Sequence, residues 1–444
     1  MIRQRLCFVS VAGALAVAAC AAAASGSDNR AHARSARGPA FRYTLVARIG
    51  KPGSGPGTLA TANGVAVDQI CGDVYISDKG RSVVDRFDLN GKFINLVGHP
   101  GRDRGGIGTP DGLFVAPGNA TPPNPDGPPA ACAPTDRSAE RVWVADEAAG
   151  RISIFGPDGT WNGGWCSSPA SEQPSGCTAR RGSGLTGGFP ARPTDVWVTR
   201  DAVFAPFGSL IREYDSAGNY VRDSVSLSQP TSAAVAGGQL WAPEYQISKL
   251  ALLSLGSGQG AMSLVREFGS GTYDGKKPGS FAAPRAVATA PDGKVYVLDS
   301  TRVQVFASSG RYLSAITLPD YFGGPSDVAV RYDGTVYVTG TDSPGALVYS
   351  PGPVVSLRLK QLGSRRIELS GSVRPGHAGA SIELQRVESG FRTIARLKLD
   401  RRSAFHVAWT APTAHAGYAF RAFFRDPHPY HANRASRLEQ ITLK

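Results

Sequence analysis

One pattern recurs along residues 60–350 and constrains the fold more than any other feature of this 444-residue sequence. Each copy has an apolar strand, a turn, a second strand rich in Val, Tyr and Trp, and a third strand that ends in an aromatic residue. Clear copies begin at Gly64-Val65-Ala66-Val67 and at Ala286-Val287-Ala288-Thr289. A repeated supersecondary unit of this kind buries its apolar faces against neighbouring copies. Six copies can be counted, so the sequence predicts an all-β chain with a six-bladed β-propeller over residues 41–352.

These copies resemble the NHL-repeat family. Its blades read roughly P-x-G-V-A-V-D, then G-x-V-Y-V-A-D, then R-V-Q-V-F-D, and Val295-Tyr296-Val297-Leu298-Asp299 and Arg302-Val303-Gln304-Val305-Phe306 follow that pattern. The resemblance implies that Asp78, Asp146 and Asp299, which follow second strands, bond the backbone of loops. It implies little about function, because NHL-type propellers include lyases, lactonases and plain binding scaffolds.

The two ends of the repeat region are predicted to pair with each other. The last copy has no fourth strand after Tyr349, because Pro351 and Pro353 follow it. Phe41 to Ile49 is an apolar strand that precedes the first copy and belongs to no blade. We expect this strand to complete the last blade, which would remove the exposed edges of an open ring.

Residues 353–444 are predicted to form a small basic β-sandwich. Apolar and polar residues alternate with period two along their predicted strands, and the repeat signature is absent. This pattern resembles immunoglobulin-like or fibronectin-like modules. They hold 16 basic and six acidic residues, whereas residues 41–352 hold 27 basic and 28 acidic. A basic module on an exported protein would be attracted to anionic lipid heads or cell-surface polymers, although arginines on a solvated surface explain the charge equally well. No nucleic-acid recognition motif is present, so nucleic acid is not an expected partner.

The N-terminus has the pattern of a targeting segment. Arg3 and Arg5 precede an apolar run, Leu6 to Ala19, which is too short to span a bilayer and suits a secretory signal over residues 1–24. Two alternatives stay open: cleavage near Ala22-Ala23-Ala24, or a lipoprotein signal that ends before a lipidated Cys20. Residues 25–40 read as a flexible tether. The sequence thus predicts an exported protein, either extracellular or anchored as a lipoprotein.

Four cysteines remain after the signal region: Cys71, Cys132, Cys166 and Cys177. An even number in an oxidising compartment favours disulfides over a zinc site, which would need closer spacing. We expect the pairs Cys71 with Cys132 and Cys166 with Cys177, because each pair lies on one face of the predicted ring.

The residues of the repeats limit the metal chemistry. His99 is the single histidine in residues 41–352, so a multi-histidine metal centre cannot form there. Asn63 and Asp111 resemble two of the oxygen ligands with which gluconolactonase-type propellers hold a divalent ion, and such ligands suit calcium. No matching Glu precedes an inner strand, and Asn or Asp before Gly is also an ordinary turn residue. We therefore expect no cofactor, with a channel calcium ion as the alternative.

Aligning the six first strands places one set of residues at the channel mouth. The candidate ligand-binding residues are Asn63, Asp111, Thr194, Asp195, Thr231, Arg285, Ser326 and Asp327. Their mixture of one cation, carboxylates and hydroxyls suits a polar small molecule, a glycan or the end of a protein chain. The leading interpretation is an exported binding or interaction scaffold, and the alternative is a channel hydrolase or lyase of the lactonase or streptogramin-lyase type.

Overall fold

The computed structural model describes residues 43–116, 139–166, 189, 191–256, 260–273, 275–374, 377–388, 390–425, 434–436 and 438–443. Residues 39–444 belong to one compact unit. Its described part consists of strands and turns, and it contains no helix long and apolar enough to cross a membrane. The predicted signal segment, the tether and Cys20 lie outside the described residues.

Six four-stranded antiparallel sheets account for most of the described residues between 44 and 350. Their strands, in chain order, are as follows: sheet 1, β2 Ala62–Val67, β3 Val74–Asp78, β4 Val83–Phe87, β5 Phe93–Val97; sheet 2, β8 Pro110–Ala116, β9 Arg141–Asp146, β10 Arg151–Phe155, β11 Trp161–Cys166; sheet 3, β12 Trp197–Val198, β13 Ala202–Phe207, β14 Leu210–Asp215, β15 Tyr220–Asp223; sheet 4, β16 Ala234–Ala236, β17 Gln239–Glu244, β18 Lys249–Ser254, β19 Ser263–Phe268; sheet 5, β20 Ala286–Thr289, β21 Val295–Leu298, β22 Arg302–Phe306, β23 Tyr312–Thr317; sheet 6, β1 Thr44–Ile49, β24 Pro325–Val330, β25 Val336–Gly340, β26 Ser343–Ser350. A short parallel pair, β6 His99–Pro100 and β7 Gly106–Ile107, lies between sheets 1 and 2.

The sheets follow one another around a central channel. The inner strand β2 contacts β8 on one side and β24 on the other, β8 contacts β12, and β20 contacts β16 and β24. Sheets 3 and 4 join where Thr194 Oγ1 donates to Thr231 O at 3.3 Å. The all-β chain therefore folds as a β-propeller.

The apolar inner strands are explained by burial on both faces. Val65 and Val67 of β2 pack in a cluster with Ala329 of sheet 6, whereas Ala66 between them packs with Leu113 of sheet 2. Successive residues of a strand point to opposite faces. A sheet covered on both faces thus needs a nearly continuous apolar run, which is the pattern seen in the repeat.

The predicted closure of the ring is confirmed for the described residues. β1 pairs antiparallel with β26, in a register that joins Ile49 to Ala346 and Thr44 to Ser350. Sheet 6 thereby takes its outer strand from the beginning of the repeat region and its other three from the end.

Two of the three aspartates at the ends of second strands hold the segments that lead into the inner strands. Asp78 accepts the backbone amides of Ala60 at 2.8 Å and Thr61 at 2.9 Å. Asp146 accepts those of Gly108 at 3.0 Å and Thr109 at 2.9 Å. Asp299 instead accepts the amides of Thr301 and Arg302, in the turn that follows its own strand.

Two further sheets lie C-terminal to the ring. One has the order β27-β28-β31, and the other has the order β30-β29-β32-β33 with β34 also paired to β32. Their strands are β27 Val354–Gly363, β28 Arg366–Arg374, β29 Ser381–Val387, β30 Phe391–Lys398, β31 Ala404–Thr410, β32 Gly417–Phe424, β33 Arg434–Ala435 and β34 Glu439–Thr442. Buried side chains of both sheets, such as Leu369 and Phe420, form one apolar cluster. Arg434 Nη2 donates to Thr44 Oγ1 at 2.8 Å, which links this part to the outer strand of sheet 6.

Two of the four predicted bridging cysteines are described. Cys71 lies in the β2–β3 loop and Cys166 ends β11, and both are disulfide-bonded. Cys132 and Cys177 lie outside the described residues, so the two pairings stay predictions.

Candidate functional site

All eight candidate residues line one cavity at one end of the channel, with a volume of about 360 Å³. We call it the mouth cavity. Its predicted members are Asn63, Asp111, Thr194, Asp195, Thr231, Arg285, Ser326 and Asp327. They meet because each belongs to the segment where an inner strand starts.

The three hydroxyls of this set bond across neighbouring sheets. Ser326 Oγ donates to Asn63 O at 2.7 Å, Thr231 Oγ1 donates to Arg285 O at 2.6 Å, and Thr194 Oγ1 donates to Thr231 O at 3.3 Å. Each hydroxyl has a single proton, so these three donate to the ring. They remain acceptors, whereas donors for a ligand must come from other residues.

Asp111 is the centre of a charged group on one wall. Its Oδ1 atom accepts a hydrogen bond from Asn63 Nδ2 at 2.6 Å and contacts Lys79 Nζ at 2.6 Å. Lys79 Nζ lies 3.9 Å from Glu147 Oε2. Burial raises the pKa of Asp111 to about 6, although the Lys79 ammonium opposes that shift.

This arrangement does not fit the calcium ion that the sequence left open. The Lys79 ammonium occupies the position next to Asp111 Oδ1 that a cation would need. The described residues contain no group of three or more His, Cys, Asp or Glu side chains placed to hold a metal ion. Calcium needs six to eight oxygen ligands, so the donor set around Asn63 and Asp111 would have to rearrange.

Asp195 and Asp327 form the floor of the mouth cavity. Asp327 accepts the amides of Val65 and Val328, both at 2.8 Å, so it joins sheet 6 to sheet 1. Burial raises the pKa of Asp195 to about 7, against hydrogen bonds from Ser232 and from two backbone amides, and the charge of Asp111 adds to the rise. Burial also raises the pKa of Asp327 well above its usual value, and the Asp195 charge raises it further. The floor therefore holds two carboxyl groups whose protonated forms are favoured by burial.

Arg285 is the basic residue on the opposite part of the wall. Its guanidinium lies over the Tyr245 ring, with Cζ 5.2 Å from the ring centroid. Its Nε atom is buried and has no hydrogen-bond partner among the described residues. No carboxylate in the described part of the chain lies within ion-pair distance of it. Arg285 is therefore a half-buried cation in the cavity wall, and its buried Nε atom has bonding capacity to spare.

The alignment of first strands missed a second group of lining residues. Lys79, Tyr245 and Thr341 also line the cavity, and each directly follows the end of a second strand. Second strands run back toward the mouth, so the residue after each of them arrives at the same edge as the start of the first strands. That position in the repeat is the sequence signal that could have found them.

His99, the one histidine of the repeat region, is not among the residues that line the mouth cavity. Its ring is exposed, and Nε2 lies 3.1 Å from both carboxylate oxygens of Asp103. The lining residues therefore offer carboxyl, ammonium, guanidinium, phenol and hydroxyl groups for any chemistry in the cavity.

The comparisons with known proteins return structures rather than relatives in sequence. No family model and no curated protein matches the chain. A gluconolactonase from Xanthomonas campestris has 15% identity and a TM-score of 0.45, covering 65% of this chain and 86% of its own. A streptogramin B lyase has 12% identity and a TM-score of 0.43, covering 69% of this chain and 97% of its own. The WD40 β-propeller domain of Doa1 has 12% identity and a TM-score of 0.41, covering 70% of this chain and 97% of its own.

Proposed function

We propose that the chain is an exported binding protein, and that its mouth cavity takes a small polar molecule with an anionic group. In this proposal the ring is a six-bladed propeller of the NHL type, followed by an immunoglobulin-like β-sandwich. The observation that carries the binding proposal is Arg285, with its buried and unpartnered Nε atom.

An anionic ligand group satisfies Arg285 better than a neutral one. A buried donor without an acceptor costs about 1–3 kcal/mol, and hydrogen bonds between charged groups are roughly twice as strong as neutral ones. Tyr245 restricts the guanidinium by lying beneath it. A guanidinium that is already positioned binds a carboxylate with little loss of side-chain entropy.

The rest of the cavity suits hydroxyl groups on the same ligand. Asp111 accepts hydrogen bonds, and Asp195, with its pKa raised to about 7, is available both as a donor and as an acceptor near neutral pH. A cavity of about 360 Å³ lies at the lower end of the size range for small-molecule sites. A sugar acid or a similar hydroxylated carboxylate combines these features.

Glucuronate and glucose form a matched pair of probes, because they differ by the carboxylate that Arg285 would bind. We expect isothermal titration of the full chain to show tighter binding of glucuronate, and the Arg285→Gln variant to lose that preference. Arg311→Gln is the control, since Arg311 is exposed on the outer part of the same sheet. Equal affinity of the two sugars for the unaltered protein would overturn the anionic assignment.

A second candidate is a hydrolase or lyase of the lactonase or streptogramin-lyase type. One observation favours it: the pKa of Asp195 is raised to about 7, which suits a general acid or base at neutral pH. We expect Asp195→Asn to abolish turnover of a lactone or a cyclic ester, whereas glucuronate should still bind, because the Asn amide keeps a donor and an acceptor. Unchanged turnover in that variant would remove Asp195 from this role.

Export, with either cleavage near Ala24 or lipidation of Cys20, and surface attachment complete the proposal. The surplus of basic over acidic residues after Pro353, 16 against six, supports attraction to anionic lipid heads or cell-surface polymers. Mass spectrometry of the mature protein distinguishes cleavage near Ala24 from a lipid on Cys20.

A further inference from the structure

A second cavity lies at the opposite end of the channel, with a volume of about 430 Å³. We call it the vestibule. Its walls are apolar residues of the inner strands, among them Val67 and Val287, together with Trp197, and Pro291 lies in a hairpin turn on its rim. Asp195 and Asp327 line both cavities, so the vestibule and the mouth cavity meet at this pair.

Gln69 adds a polar group to the vestibule besides the two shared carboxyl groups and the Thr289 hydroxyl, which donates to Val235 O at 3.0 Å. Its Nε2 atom donates to Val330 O at 2.9 Å and to Val67 O at 3.4 Å. These bonds fix the orientation of the amide, because the reverse orientation would place Oε1 against two carbonyl oxygens. Oε1 is buried and has no hydrogen-bond partner among the described residues. A buried acceptor without a donor is unfavourable, so this atom marks a place where a ligand donor would be stabilised.

We propose that the vestibule binds a small molecule with an apolar body and one hydroxyl group, and that the hydroxyl donates to Gln69 Oε1. The apolar walls favour a hydrocarbon or aromatic body, and the volume lies in the range of small-molecule sites. Phenols and apolar alcohols have this composition.

The chemistry of the vestibule differs from that of the mouth cavity. The mouth cavity offers Arg285, Lys79 and Asp111, whereas Asp195 and Asp327 are the charged-type side chains among the residues that line the vestibule. Both carboxyl groups bind protons readily, since burial raises their pKa values. Arg285 is not among the residues that line the vestibule. Failure of the sugar-acid proposal would therefore leave this proposal standing.

Trp197 provides a direct readout of occupancy, because it lines the vestibule and heavy bromine atoms quench a nearby indole. 4-Bromophenol and bromobenzene are matched probes that differ by the hydroxyl. With the full chain we expect saturable quenching by both, and about five-fold tighter binding of 4-bromophenol, the value of one ordinary hydrogen bond. Trp197→Phe should remove the quenching signal while calorimetry still detects binding.

Three variants complete the test. Gln69→Leu should make the two affinities equal, and Val235→Phe should fill the vestibule and weaken both probes at least ten-fold. Val225→Phe is the matched control, because Val225 packs against the same apolar cluster as Val235 but does not line the vestibule. Thermal melting checks that each variant is folded.

Several outcomes would overturn the proposal. They are non-saturable quenching, equal affinity of the two probes for the unaltered protein, quenching that persists in Trp197→Phe, or unchanged binding by Val235→Phe. If Gln69→Leu does not fold, the comparison of the two probes and the Val235→Phe variant still decide the matter.

Discussion

Gly112 occupies a position that a larger residue cannot take, because a side chain from the next sheet fills the space. A Cβ atom on Gly112 would lie 1.9 Å from Asp195 Oδ1 and 2.7 Å from Asp195 Cα. Gly64, at the same position of sheet 1, would bring a Cβ atom to 2.2 Å from Asp111 O. The glycines of the inner strands therefore allow close approach between sheets.

We expect Gly112→Ala to destabilise the protein by about 2–3 kcal/mol, the cost of overpacking where the neighbour cannot move away freely. Gly55→Ala is the control, since a Cβ atom there meets nothing within 4 Å. Urea denaturation of both variants measures the difference. A Gly112→Ala variant as stable as the control would mean that the Asp195 side chain does not fill the space beside Gly112.

Glu140 is a buried acid whose protonation should couple to folding. Tyr75 donates to Glu140 Oε1 at 2.7 Å, and Arg86 pairs with the nearby Asp73 at 2.5 Å. Burial raises the pKa of Glu140 to about 7, with a further rise from the charge of Asp68. The folded protein then holds this proton more tightly than the unfolded chain does. The free energy of unfolding therefore falls as the pH rises from about 4.5, the ordinary pKa of a glutamate, to about 7.

Glu140→Gln removes that cost and retains an acceptor for Tyr75. We expect the variant to be more stable than the unaltered protein at pH 8, by on the order of 1–2 kcal/mol, and about equal to it at pH 5. Urea denaturation at the two pH values measures this, with the exposed Asp201→Asn as the control. An equal stability difference at both pH values would contradict the shifted pKa.

The candidate site was predictable only where it depends on position within the repeat. The alignment of first strands brought eight residues to one cavity, because the start of every inner strand reaches the same edge. It could not show that the hydroxyls of Thr231 and Ser326 are bonded to neighbouring sheets, or that Lys79 compensates Asp111. Those features depend on side-chain reach between sheets, which a periodic pattern does not contain.

At the scale of elements, local pattern predicted the strands well except where residues bond across sheets. The first strand of sheet 3 is short and covers only Trp197–Val198. Pro193 lacks an amide donor, and Thr194 O accepts from Gly112 N of sheet 2 instead of from its own sheet. The first strand of sheet 4 is likewise short, Ala234–Ala236, and Thr231 before it bonds sheet 5.

The outer strand β1 is the element on which closure of the ring depends. Ile49 is 1% exposed and packs in one cluster with Leu59, which precedes β2, and with Tyr337 of sheet 6. A chain that starts at residue 50 would lose this burial and expose the edge of β26. We expect it to melt at least about 10 °C below a chain that starts at residue 43, which keeps β1. Equal melting temperatures in calorimetry would show that β1 does not close the ring.

At the scale of the whole molecule, charge is distributed unevenly between the ring and the C-terminal sheets. Residues 353–444 hold 16 basic and six acidic residues, whereas residues 41–352 hold 27 and 28. Arg392 and Arg396 on β30 are 71% and 74% exposed in their side chains. Arg392 lies 3.7 Å from Glu388 and Arg396 lies 3.2 Å from Glu383, so both form exposed ion pairs. In the proposed attachment, this strand would contact the anionic surface.

We expect the triple variant Arg392→Gln, Arg396→Gln, Lys398→Gln to lose retention on anionic lipid vesicles or on isolated cell-wall material at low salt. Each basic residue near an anionic surface contributes about 1 kcal/mol, so three substitutions should weaken binding by roughly 100-fold. Added salt should weaken the unaltered protein in the same way, because the attraction falls off within a Debye length of about 8–10 Å. The matched control replaces Lys51, Arg200 and Arg311, which are exposed on the ring, and should bind like the unaltered protein. If both triple variants are weakened equally, total charge governs adsorption, and the C-terminal sheets have no special role in attachment.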